Sequence, residues 1–231
     1  MRRGSLVLLA GVLVVSANAN ILLDDFTSGF AGQSSTTGIY YNTASANSIG
    51  SFRFVNHIFN SNPLSRPIST DVNAAAPGHM FIEAGSGVNG VSGIGWGGSL
   101  NVAASGAGNI GFSNFNGLGG VDFSNELGIQ IDYINNDQSS TGFFLQVLDT
   151  SDNLSVGTAV TAPSGNGSIF LAFSDLVGAA NLASVDAVVV AVQLPNGNDI
   201  TLTRAEAVPE PATMTILGLG IAALAARKRR K

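Results

Sequence analysis

The chain has 231 residues, a length that fits one domain, with no cysteine and a formal net charge of −5. Lacking thiols, it has no disulfides, no thiolate metal centres and no cysteine nucleophile. Residues 20–208 hold three arginines, no lysine and fourteen acids, which leaves that stretch eleven charges negative. Such a body repels phosphate and argues against nucleic acid as a partner.

Residues 1–19 read as a secretory signal peptide. Arg2 and Arg3 give a positive start, Leu6–Val15 an apolar run, and Ala17-Asn18-Ala19 the small-x-small pattern that signal peptidase accepts. Ten apolar residues rise only about 15 Å as a helix, too little for a membrane anchor. The arginine pair hints at the twin-arginine route, but the apolar residues expected directly after it are displaced, so the Sec translocon is the expected path. The mature chain then starts at Asn20. Exported without disulfides, it rests on a hydrophobic core, for which about 190 residues suffice.

From 20 to 206 the sequence is rich in Gly, Ser, Asn and Thr, with short apolar runs separated by polar turns. Strands are expected at Ser51–Val55, Met80–Ala84, Ser99–Ala103, Gly128–Ile134, Gly142–Asp149, Val156–Thr161, Ser168–Phe173, Asp186–Leu194 and Asp199–Ala205. Ile129, Ile131 and Tyr133 alternate with Gln130 and Asp132, the pattern of a half-buried strand. Val185–Val192 is almost wholly apolar and β-branched, as for a strand covered on both faces. Pro163–Gly167 and Pro195–Asp199 supply turns, and Ser174–Ser184 is expected to hold a short helix or helical turn. Residues 85–120 carry so many glycines that loops or irregular edge strands are expected there. These features predict an all-β fold, an antiparallel β-sandwich of jelly-roll type.

The run from Gly167 to Leu202, preceded by Leu22-Leu23-Asp24-Asp25-Phe26, resembles jelly-roll modules related to galactose-binding and carbohydrate-binding domains. The resemblance implies a structural Ca2+ where the first and last strands meet, with Asp24, Asp25 and Asp199 as candidate oxygen ligands. Solvation of strand ends explains the same acids. Trp96, Tyr40 and Tyr41 are candidates for a small sugar-stacking platform, with core packing an equal reading of Trp96.

Other matches carry little. Gly85–Gly90 fits G-x-G-x-x-G, but more glycine follows where a phosphate-binding helix would have to open. His57 and His79 lack zinc spacing, and no G-x-S-x-G elbow accompanies them. Asp149-Thr-Ser-Asp-Asn-Leu opens like a calcium loop but lacks its glycine and distal Glu, so a hairpin turn is the simpler reading. A glycoside hydrolase or lyase needs only two carboxylates, yet its cleft usually carries more aromatics than this body offers.

The C-terminus is more specific. Val208-Pro209-Glu210-Pro211 is followed by fifteen uncharged residues, Ala212–Ala226, and then by Arg227, Lys228, Arg229, Arg230 and Lys231. The prolines keep the motif out of helices and central strands and hold it extended, as a protease wants its substrate. As a helix, 212–226 spans roughly 22 Å, short of a bilayer core of roughly 30 Å, a gap that snorkelling cations or local thinning makes up. The basic cluster stays cytoplasmic by the positive-inside rule. Motif, short apolar helix and basic stop resemble the PEP-CTERM sorting domain of exported bacterial proteins. That resemblance covers 207–231 and implies an exosortase-type membrane transpeptidase as partner, acting at 208–211. It also implies a Gram-negative bacterium that makes exopolysaccharide and biofilm matrix.

The expected protein is therefore a signal peptide (1–19), a sandwich (20–206) and a sorting tail (207–231). It crosses the inner membrane, is anchored N-out and C-in for a time, and passes to the cell surface or matrix. Its expected role is structural or interactive and not enzymatic. The alternatives are an exopolysaccharide-binding module and, behind it, a glycan-active enzyme.

Overall fold

The longest apolar β-branched run of the body lies inside a sheet, covered on both sides. The computed structural model describes residues 20–28, 30–35, 39–73, 76–97 and 117–210. In it the run is β14 (Val185–Leu194). Val188, Val190 and Val192 face the main core, while Val189 and Ala191 are buried on the opposite face beneath Ile58, Val91 and Phe144.

β14 lies in an eight-stranded sheet. Its order is β13 (Val177–Gly178), β10 (Leu154–Val156), β9 (Thr141–Asp149), β14, β7 (Asn89–Trp96), β4 (Phe52–Ser61) and β3 (Ile39–Ala44), with β11 (Val160–Ala162) also on β9. The facing seven-stranded sheet runs β12 (Gly165–Ala172), β8 (Glu126–Asn136), β15 (Asp199–Pro209), β6 (Met80–Ala84), β5 (Ile68–Val72) and β2 (Phe30–Ser34), and β1 (Ile21–Asp24) pairs with β15. Every pairing is antiparallel. Ile129, Ile131, Leu171 and Leu202 from one sheet and Phe143, Leu145 and Val147 from the other share a single core. The all-β sandwich read from the sequence is the fold.

Several strands sit where the sequence puts them. Met80–Ala84 has the expected limits, and Gly128–Ile134 lies within β8 in the expected alternation. Val156–Thr161 is not one strand: β10 ends at Val156 and β11 begins at Val160. Ser174–Ser184 takes part in two 3-10 turns, Phe173–Asp175 and Leu182–Ser184. Ser99–Ala103 lies outside the described residues.

The glycine-rich region departs most from expectation. Its first part is β7, neither a loop nor an edge but a strand hydrogen-bonded to β14 on one side and β4 on the other. Close packing requires its glycines. A Cβ on Gly90 would stand 2.5 Å from the Ile58 carbonyl oxygen and 2.6 Å from Ile68 Cδ1.

One strand fixes the layout of the C-terminal end. β15 has β8 along one edge, and along the other it pairs first with β6 (residues 199–202) and then with β1 (residues 205–207). Its ladder with β8 shifts register between Leu202 and Arg204, near where the partner on the far edge changes.

Candidate functional site at the end of β15

Val208 and Pro209 are the last two residues of β15. This corrects the expectation that the prolines exclude the motif from a central strand, and it carries the folded body past 206. Val208 lies opposite Gly128, and Pro209 lies opposite Glu126 after a register shift that leaves Leu127 as the extra residue of β8. A bulge at a strand end is where a residue without an N–H is tolerated in a sheet. Val208 and Pro209 are half-buried, and Glu210 is exposed immediately beyond them. Pro211, the apolar run 212–226 and the basic residues 227–231 lie outside the described residues.

The first described strand, β1, lies beside the motif. Ile21 pairs with Ala207 and Leu22 with Glu206, so Asn20 and Val208 are next in line on neighbouring strands. Residues 1–19, with Ala17 and Ala19, lie outside the described part. On the outer face Arg204 reaches Glu206 at 2.7 Å, and Gln130 donates to Asp132 at 3.0 Å. The Glu126 carboxyl, opposite Pro209, has one buried oxygen with no hydrogen-bond partner, and burial pushes its pKa up.

The structure separates the three candidate calcium ligands. Asp24 pairs with Ala205, six positions along β15 from Asp199, or roughly 20 Å at strand spacing. Asp24 is fully buried. Arg53 gives it Nε at 2.7 Å and Nη2 at 2.5 Å, the Trp96 indole donates at 2.9 Å, and the Phe26 amide donates at 2.8 Å. Asp25 accepts from the Thr27 amide and hydroxyl in a local turn. Asp199 faces Glu83 across the ladder; burial first, then the charges of Glu83 and Asp137, raise its pKa to about 6. Among the described residues, no group of three or more His, Asp or Glu is placed to hold a metal ion.

The sugar-stacking reading of Trp96 is also corrected. Its side chain is 0% exposed, so no ring face is open to a pyranose. Core packing, the other reading, describes it: with Arg53 it ties β4 and β7 of one sheet through Asp24 to β1 of the other. The side chains of Tyr40 and Tyr41 lie outside what is described. Asp149 closes the hairpin between β9 and β10. It accepts from the Asn153 side chain, from the amides of Ser151 and Asn153, and from the Asn181 amide, and these bonds hold its pKa down at about 2.

Two features were not legible in the sequence. One is a buried polar contact between the sheets. His57 of β4 sits between Ser34 of β2 (3.0 Å to Nδ1) and Thr70 of β5 (2.9 Å to Nε2), and Thr70 also meets Ser92 of β7 at 3.3 Å. No spacing in the sequence marks His57: β4 reads Phe-Arg-Phe-Val-Asn-His without alternation, and residues 53–57 are buried in a row. The other is a shallow open cleft of about 310 Å³, lined by Gly32, Gln33, Ser69, Thr70 and Asp71.

Comparison with known proteins decides the tail. The model for the PEP-CTERM protein-sorting motif matches residues 207–230. The chain carries a PEP-CTERM sorting motif. Such a motif assigns an exported protein to exosortase processing and to membrane-anchored sorting toward the cell surface. No curated protein matches the chain.

Among solved structures, the body has distant likenesses. One is the family 11 carbohydrate-binding module of the cellulosomal cellulase Lic26A-Cel5E of Clostridium thermocellum, at 13% identity and TM-score 0.41, over 84% of this chain and 97% of that one. Another is the agarase AgWH50C, at 9% identity and TM-score 0.45, over 84% of this chain and 25% of that one.

Proposed function

We propose that this PEP-CTERM chain is a non-enzymatic surface or matrix protein whose tail is removed once its body has been exported. Residues 1–19 act as a signal peptide for Sec and signal peptidase. Residues 212–226 then hold the chain in the inner membrane of a Gram-negative cell, with Arg227–Lys231 on the cytoplasmic side. An exosortase recognises Val208–Pro211 and cleaves nearby, and the sandwich serves a structural or interaction role in the envelope or exopolysaccharide matrix.

The match at residues 207–230 carries this reading. The end of β15 supports it, because the strand stops at Pro209 and leaves Glu210 exposed directly after it. Intact mass of the surface-localised protein tests it. A mature species without Arg227–Lys231 is expected, and one that retains them overturns the reading. Glu210→Ala should leave export intact and slow tail removal roughly tenfold or more, the scale of losing one hydrogen bond to a charged group. Release of reducing ends from matrix polysaccharide by the purified protein would overturn the non-enzymatic part.

A second reading is exopolysaccharide binding in the cleft of Gln33, Ser69 and Asp71, whose amide, hydroxyl and carboxylate groups suit sugar hydroxyls. Retardation of the protein in a polysaccharide affinity gel, lost in Asp71→Ala, is its expected sign. Equal mobility with and without polysaccharide removes it.

A further inference from the structure

Large apolar side chains are exposed around the end of β15 in a way the sandwich itself does not need. Among the described residues six are exposed, and Leu22, Leu127 and Phe170 ring the last residues of β15. Leu127 is the bulged residue beside Pro209, and Leu22 is paired with Glu206 on β1. Phe170, on β12, is paired with Gln130, which in turn pairs with Glu206. Its ring lies so close over Gly128 that a Cβ there would meet Cζ at 2.8 Å, and Gly128 is the partner of Val208. Leu64, 62% exposed, stands at the opposite end, against Gly87.

We propose that this rim rests on the lipid surface, with Leu22, Leu127 and Phe170 entering the interfacial layer while the tail is in the membrane. The proposal rests on the reading of 212–226 as the membrane segment. The length of chain beyond the body supplies the argument. Ala212 is three residues past Pro209, a reach of at most roughly 11 Å, so the end of β15 cannot stand further than that from the start of the apolar run. The polar layer on each side of a bilayer is itself roughly 5–7 Å deep. Apolar side chains that this short reach brings to that zone lose contact with water on meeting acyl chains, as in interfacial helices.

Two of the acids beside the rim carry reduced charge. Glu206 is paired with Arg204, and burial shifts the Glu126 carboxyl toward its neutral form. Lipid contact here also presents Glu210 at the height where a membrane-embedded transpeptidase works.

Because the chain has no cysteine, single-cysteine variants report single sites. The full chain is reconstituted into phosphatidylethanolamine–phosphatidylglycerol vesicles containing a quencher-bearing lipid. An environment-sensitive dye is placed in turn at Leu127→Cys, Phe170→Cys, Leu64→Cys and Leu217→Cys. Blue-shifted, lipid-quenched emission is expected at 127, 170 and 217, with none at 64. If the dye at 217 is quenched while those at 127 and 170 behave like the one at 64, the tail enters the membrane but the rim does not touch it, and the inference falls alone. If the dye at 217 is not quenched, the membrane reading and the inference fall together.

Discussion

Arg53→Ala is expected to cost about 3–5 kcal/mol of folding stability, the usual price of removing one partner from a buried ion pair. Arg53 and Asp24 are 1% and 0% exposed, and the guanidinium approaches the carboxylate through two nitrogens. With Arg53 gone, Asp24 keeps the Trp96 indole and the Phe26 amide, but its charge has no counter-charge in contact. The Arg53 guanidinium also lies 5.2 Å from the centre of the Phe26 ring, a contact that is lost as well. Urea unfolding of Arg53→Ala, Asp24→Ala and the double variant checks this. Each single change should lower the midpoint sharply, and the double variant should lose clearly less than the two losses added together. Additive losses would mean that the pair does not act as a unit. Because Asp24 is the last residue of β1, the single variants should also loosen the strand that covers the edge of β15 next to the motif, seen as faster amide exchange at Glu206 and Ala207.

The second large effect is on pH. Burial lowers the pKa of His57 from 6.5 to about 4, so the folded protein holds this ring neutral. The unfolded chain therefore binds a proton that the folded one refuses. Stability from this group is fully present above pH 6.5 and is lost as pH falls toward 4, by roughly 3 kcal/mol in total. Asp199 works in the opposite sense. Its folded pKa is raised to about 6, so its contribution is greatest below its ordinary value and is lost as pH rises through 6. The two partly cancel between pH 4 and 6. Unfolding at pH 7.5 and pH 4.5 should show a loss of stability in the natural protein that is larger than in His57→Gln, which lacks this ring. An equal loss in both proteins would contradict the assignment to His57. The ring is fixed between Ser34 and Thr70 of the facing sheet, so a charge there strains the contact between the layers.

Both predictions concern residues that the sequence displays without explaining. Arg53 is 29 positions from Asp24, and Trp96 is 72 from it, so no local spacing reveals that the three meet. Asp24 reads as an acid near a strand end, which fits a cation ligand as well as an arginine partner. What the sequence does carry is local periodicity. The alternation at Gly128–Ile134 and the unbroken apolar run at Val185–Val192 each became a strand with the expected faces. β7 escaped notice because its determinants are missing side chains: Gly90 is needed by Ile58 and Ile68, which lie on other strands. β5 alternates as well, with Ile68, Thr70 and Val72 buried, but at five residues between a proline turn and polar sequence it offers little period to recognise. The tail was legible because a sorting enzyme must read it as linear sequence. Nothing in that order of residues foretold that Val208 and Pro209 would also be structural.

That shared use has a mechanical consequence. β15 has eleven residues, paired with β8 along one edge and with β6 and then β1 along the other, and the chain leaves it directly at Glu210. A pull exerted through the C-terminus acts along the strand axis and meets the bonds to β8, β6 and β1 side by side, in shear. A terminal hairpin would instead open one bond at a time. Any load that reaches the body through Glu210 enters at the part of the sheet best placed to bear it.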